Sequence, residues 1–213
     1  MKKKVILFLI ALVLCIPFLN VNADVTATDL ATTVSEEYAL VADNDDYADY
    51  AKIFKNFDSE TYAAKKDDAK VTVYVFRGST CSHCLEAMAH FASIYSDYSD
   101  KIDIETYEVW SNDDNASLME SVASALGTEA EGVPFIVIGE KYFSGYSSTL
   151  DEDIASAIET AYEDDEYTDL VKTVAEGGEV TSKEDSGDTA IIIAILVVVI
   201  GGCGALVYFS RKK

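Results

Sequence analysis

Cysteine, histidine, proline and positive charge are all scarce in this chain. Its 213 residues include four cysteines, two histidines and two prolines. Cys15 falls in an apolar N-terminal segment and Cys203 in an apolar C-terminal one, which leaves Cys81 and Cys84 between them. One pair excludes a small disulfide-stapled scaffold. The core must therefore come from packing, and the roughly 105 residues from Val71 to Ala175 are enough to build one. Basic residues number 16 against 38 acidic ones, and six of the 16 sit at the two ends. Residues 24–188 thus carry ten positive and 38 negative charges, a net −28. That excludes nucleic acid as a partner, because phosphate binding needs a basic surface. It also disfavours anionic lipid. A solvated, mutually repelling exterior at a bacterial cell surface accounts for it, with a specific basic partner as the rival reading. The two histidines do not suit a metal centre. Zinc takes four ligands with chelating spacings at both ends, whereas His83 is wedged between the two cysteines and His90 lies six residues beyond Cys84. No metal and no cofactor is expected.

The two ends read as targeting and anchoring segments. Residues 1–23 have the form of a signal peptide: Lys2-Lys3-Lys4, an unbroken apolar run from Val5 to Leu14, and Val21-Asn22-Ala23 before a cut at Asp24. Leu14 is too large for the position before a lipoprotein cysteine. Residues 190–209 contain no charge and are followed by Arg211-Lys212-Lys213. Twenty residues at about 1.5 Å each span a bilayer core of roughly 30 Å, and basic residues favour the cytoplasmic side. The expectation is a single-pass protein of the cell membrane. Its N-terminal domain is extracytoplasmic, residues 190–209 form one C-terminal transmembrane helix, and residues 210–213 form a cytoplasmic tail. No proline-containing sorting motif precedes the span, which favours a permanent anchor. Between the ends lie an acidic segment (24–52), a folded domain (53–175) and a polar linker (176–189).

Within the folded part, Val71–Phe76 is β-branched and aromatic and predicts a buried strand. Arg77-Gly78-Ser79-Thr80 breaks it. Ser82–Tyr98 predicts a helix with Leu85, Met88, Phe91, Ala92 and Tyr95 on one face. Ile102–Trp110 alternates as a strand does. Asn115–Leu126 predicts a helix capped by Asn115 or Asp114 and stopped by Gly127. Gly132-Val133-Pro134 introduces a strand at Phe135–Ile138, and Gly139-Glu140 turns it back into Lys141–Tyr146. Ser148 or Thr149 starts a last helix through Ile154 and Ile158. Upstream, Thr28–Ala42 has a loose helical pattern. Ile53, Phe54 and Phe57 form a further apolar cluster, and Asp58-Ser59 caps a short helix holding Tyr62.

The chemistry concentrates at Cys81-Ser82-His83-Cys84. Cys81 falls at the N-terminal end of the Ser82–Tyr98 helix, where unpaired N–H groups and the helix dipole stabilise a thiolate. Cys81 is the expected attacking sulfur. Cys84, one turn on and more buried, is the expected resolving one. His83 can offer a hydrogen bond or a charge to the Cys81 thiolate, which favours the reduced form and makes the disulfide a stronger oxidant.

In this order the motifs resemble the thioredoxin superfamily over about Val71–Tyr162: the strand Val71–Phe76, Cys81-Ser82-His83-Cys84, Val133-Pro134 before Phe135–Ile138, and Lys141–Tyr146 with its glycine. The resemblance implies an α/β thioredoxin-like fold with a central mixed sheet flanked by helices. It also implies a cis Val133–Pro134 bond facing the disulfide, with Val133 and Pro134 binding the substrate backbone. Histidine before the second cysteine and valine before the proline are similar to oxidases of the DsbA type. The separation of 50 positions from Cys84 to Pro134 leaves no room for the helical domain that type inserts, and Ser82 stands where it often has proline. The chain departs from ordinary thioredoxins too. Gly78-Ser79-Thr80 replaces their aromatic-rich approach to the first cysteine, and Val75 replaces their buried acid. Glu86 or a water is left as a substitute for that acid.

The resemblance thus implies an extracytoplasmic, membrane-tethered thiol–disulfide oxidoreductase. It would exchange disulfides with cysteine-containing exported proteins and be turned over by a redox partner. A non-catalytic surface-interaction module on the same fold, and a metallochaperone, are the alternatives.

Overall fold

The computed structural model describes residues 25–178. The expected signal peptide (1–23), most of the polar linker and the expected membrane span (190–209) lie outside them. Among the described residues no helix is long and apolar enough to cross a membrane.

The elements run β1 (Thr28–Asp29), α1 (Leu30–Val41), α2 (Ala48–Lys55), α3 (Ser59–Lys65), β2 (Val71–Arg77), α4 (Ser82–Tyr98), β3 (Ile102–Glu108), α5 (Asp113–Ala125), β4 (Phe135–Ile138), β5 (Lys141–Ser144), α6 (Asp151–Glu163) and α7 (Leu170–Ala175). The strands form one sheet in the order β1-β3-β2-β4-β5. β2 and β3 are parallel, while the β1–β3, β2–β4 and β4–β5 pairs are antiparallel. This mixed sheet flanked by helices, with the Cys-x-x-Cys pair after a central strand, is a thioredoxin-like α/β fold.

Period-two alternation divides the core. One face of the sheet carries Val71, Val73, Val75, Ile102, Ile104, Ile136 and Ile138, all essentially inaccessible. Against it pack Leu30 and Val34 of α1, Leu85, Met88 and Phe91 of α4, and Ile154 and Ile158 of α6. The other face carries Tyr74, Phe76, Tyr107, Phe135 and Val137 under α5 and α7. β2 and β4 are covered on both sides, which is why their sequences read as continuous apolar runs rather than alternating ones.

The acidic segment 24–52 contains α1 and most of α2, and α1 supplies Leu30, Val34 and Val41 to the core. Asp29 caps α1 by accepting from the Thr32 N–H, and Asp58 caps α3 by accepting from Thr61. Tyr62, expected on that short helix, is fully buried. Its hydroxyl accepts from the Leu30 N–H at 3.1 Å and donates to Asp103 at 2.8 Å, tying α3 to the start of α1 and to β3.

The cap of α5 differs from expectation. Asn112, not Asn115 or Asp114, accepts from the Asp114 and Asn115 N–H groups, so the helix starts at Asp113. Asn115 is buried instead. Its amide donates to the Thr26 and Glu108 carbonyls, and its oxygen accepts from the Thr26 N–H. A side chain needed to satisfy backbone groups from two other segments is not free to cap. Gly127, at φ 70°, ends the helix as expected.

Candidate functional site

β2 delivers the chain to the site and α4 carries the sulfurs away from it. Cys81 is the N-cap of α4, in extended conformation, and its sulfur accepts the Cys84 N–H at 3.1 Å. Cys81 and Cys84 form a disulfide with their Cα atoms 5.1 Å apart. The two sulfurs are not equivalent: Cys81 is partly exposed, whereas Cys84 is completely buried. The Val133–Pro134 bond is cis, and the Val133 carbonyl oxygen lies 3.6 Å from the Cys81 sulfur. A thiol at Cys81 has its proton within reach of that oxygen; the disulfide has none to give. Pro134 is held from behind by the Gly145 N–H donating to its carbonyl at 2.8 Å.

His83 points outward. Its side chain is 64% exposed, and Nδ1 lies 3.3 Å from the Glu86 carboxylate. Glu86, considered above as a substitute for the missing buried acid, is thus at His83 on the surface of α4. Val75 fills the interior position and is completely buried. His90 lies away from the cysteines. Nδ1 is 3.3 Å from the Asp151 carboxylate of α6, and the ring packs on Tyr146. Burial lowers the His90 pKa below its ordinary value despite the opposing pull of Asp151.

Two functional-looking residues were hidden in the alternating pattern of Ile102–Trp110, of which only Ile102–Glu108 is strand. Trp110, the chain's one tryptophan, is 55% exposed and lines a groove with Cys81, Val109, Met119, Glu131 and Val133. Its indole lies flat against Gly78: a Cβ there would stand well inside contact distance of three ring carbons. Glu108 fixes this arrangement. One carboxylate oxygen accepts the N–H groups of Ser79 (3.2 Å) and Trp110 (3.0 Å), and the other accepts from the Ser111 N–H and hydroxyl. Burial pushes the Glu108 pKa up, but these hydrogen bonds outweigh it and hold the carboxyl below its ordinary value. Gly78→Ala should expel the indole from the loop. The single-tryptophan emission reports this directly, and we expect a red shift toward that of a fully hydrated indole. An unchanged spectrum would mean that the contact is dispensable.

A buried ionic cluster lies just below. Arg77, the last residue of β2, is 4% exposed and so is Glu37 of α1. Their side chains pair at 3.1 Å, and a second guanidinium nitrogen reaches the more exposed Glu36 at 2.7 Å. Burial raises the Glu37 pKa above its ordinary value, with Arg77 pulling it back only in part.

No family model, curated protein or solved structure matches this chain.

Proposed function

We propose that the protein is a membrane-tethered, extracytoplasmic thiol–disulfide oxidoreductase that exchanges disulfides with cysteine-containing exported proteins. The asymmetry of the two sulfurs carries this reading. The accessible one sits at a helix N-terminus beside the Val133 carbonyl, and its partner is completely buried. In the oxidising direction a substrate thiolate attacks the Cys81 sulfur. An S–S bond forms to substrate, the Cys81–Cys84 bond breaks, and Cys84 leaves as thiolate. A second substrate thiolate then attacks the substrate sulfur of the mixed disulfide and releases Cys81 as thiolate. The substrate loses two electrons and the pair gains them. A separate redox partner restores the disulfide. Reduction is the same path reversed, with Cys81 as nucleophile and Cys84 resolving.

The α4 N-terminus stabilises the departing Cys81 thiolate, and His83 adds positive charge whenever it is protonated. Val133 and Pro134 form the wall along which substrate backbone lies. The sequence features at the ends support the tether: residues 1–23 direct export, residues 176–189 link, and residues 190–209 anchor the 53–175 domain and the segment before it. DsbA-like local chemistry at His83 and Val133 favours oxidation.

The test is the reduction potential of the Cys81–Cys84 couple, equilibrated against glutathione and read from Trp110 fluorescence. We expect a value between about −120 mV, that of a strong oxidant, and about −270 mV, that of a thioredoxin-like reductant. A potential below about −300 mV, typical of an inert structural disulfide, would overturn the reading.

A further inference from the structure

We propose that Trp110 is a specificity-determining residue: its exposed indole receives an arginine side chain next to the reacting cysteine, so the preferred substrates present cysteine beside arginine. This rests on the oxidoreductase reading and names the substrate class of the same site.

The first argument is placement. The segment preceding Cys81 holds no aromatic residue, only Gly78-Ser79-Thr80. The structure supplies an aromatic surface there from another strand. Trp110 follows β3 and comes to lie on Gly78, three residues before Cys81, in one groove with Cys81 and Val133. Gly78 has no positive backbone φ that would require glycine. The indole's close approach is what excludes a side chain. Glu108 bonds the Ser79 and Trp110 backbones at once, so the aromatic and the redox loop are held as one unit. A tryptophan fixed in place yet left 55% exposed is a prepared contact surface.

The second argument is charge. Glu131 lines the same groove, and residues 24–188 carry a net −28. An acidic neighbour of the substrate cysteine meets repulsion there, and a basic one meets attraction that also speeds encounter. Tryptophan is the strongest aromatic partner for a cation, and guanidinium, being flat and weakly hydrated, stacks on it better than ammonium does. Arginine satisfies the aromatic face and the acidic rim together. Phenylalanine satisfies only the first.

The experiment uses the full chain and four otherwise identical dithiol peptides with Arg, Phe, Gly or Glu beside the attacking cysteine. An exposed cation–π contact with an exposed charge pair predicts a second-order rate constant for reduction of the Cys81–Cys84 disulfide by the arginine peptide, in a single turnover, about three- to tenfold above that of the glycine peptide. Phenylalanine should fall between them and glutamate below glycine. Trp110→Ala should bring the arginine-to-glycine ratio close to one. Trp110→Phe should restore part of it, and Glu131→Gln should reduce it, as should raised salt. If all peptides exchange at equal rates, or phenylalanine equals arginine, the inference falls and the oxidoreductase reading stands. If wild type exchanges with none of them, nor with dithiothreitol, the oxidoreductase reading falls and takes the inference with it.

Discussion

Cys81→Ser is expected to reduce disulfide exchange to the uncatalysed background, whereas Cys84→Ser should still react once and then stall. A hydroxyl can neither form a disulfide nor leave as a stabilised thiolate, so the first variant removes the accessible sulfur outright. Cys84 cannot take over, because no part of it reaches solvent. With serine at 84, Cys81 is a free thiol that can still attack a disulfide substrate. An S–S bond forms to one substrate sulfur, the substrate's own S–S bond breaks, the other sulfur leaves as thiolate, and no neighbouring thiol then releases the bound half. The predicted product is a long-lived mixed disulfide at Cys81, visible as a covalent adduct by mass spectrometry and reversed by added dithiol. Wild type should show little of it. The contrast separates catalysis from a surface-interaction role. A binding module would retain its partners in the Cys81→Ser chain and would accumulate no adduct in the other. Equal exchange rates for Cys81→Ser and wild type would end the proposed mechanism.

The parts of this site that depend on neighbours in sequence were legible in advance. Helix α4 occupies Ser82–Tyr98 as its apolar spacing predicts, because a cysteine in extended conformation at the cap and a regular buried face define it locally. β4 occupies Phe135–Ile138 because a glycine and a proline bound a short β-branched run. The parts set by distant partners were not. Thr26 lies 89 positions from Asn115, and nothing near Asn115 reveals that its amide is committed to the Thr26 backbone instead of a cap. Trp110 reads as the end of an alternating strand, yet β3 stops at Glu108 and the chain turns to bring the indole onto Gly78. A glycine just before the cysteine pair and a lone tryptophan elsewhere were the available clue; that Gly78 needs no special backbone angle is known only from the fold. The loose helical pattern of Thr28–Ala42 gave no hint that α1 belongs to the main core. Its ionic link to β2 spans 40 positions, from Glu37 to Arg77.

That ionic link carries the largest expected effect on stability. Arg77→Met keeps the volume and the apolar stem but leaves Glu37 as a buried charge without its main partner, while Glu36 remains half in water. Thr106 also loses the guanidinium Nε that lies 3.4 Å from its hydroxyl, retaining only Thr33 at 2.7 Å. Breaking one side of a buried pair costs about 3–5 kcal/mol, and the midpoint of urea unfolding near neutral pH should fall accordingly with an unchanged slope. The pH dependence identifies the cause. Glu37 is a carboxyl whose folded pKa lies above its unfolded value, so the folded state binds its proton more tightly. For such a group, stability is greatest below the unfolded pKa and is lost as pH rises through the window up to the folded one. Without Arg77 the folded pKa moves higher still, which widens that window toward neutrality. Arg77→Met should therefore recover part of its deficit relative to wild type on acidification from pH 7 to pH 5. The double variant Arg77→Met/Glu37→Leu should regain most of it at both pH values, since it replaces the pair by apolar groups instead of orphaning one charge. A single variant within about 1 kcal/mol of wild type, or a double variant no better than the single, would show that the pair is not what fastens α1 to the strand leading into Cys81.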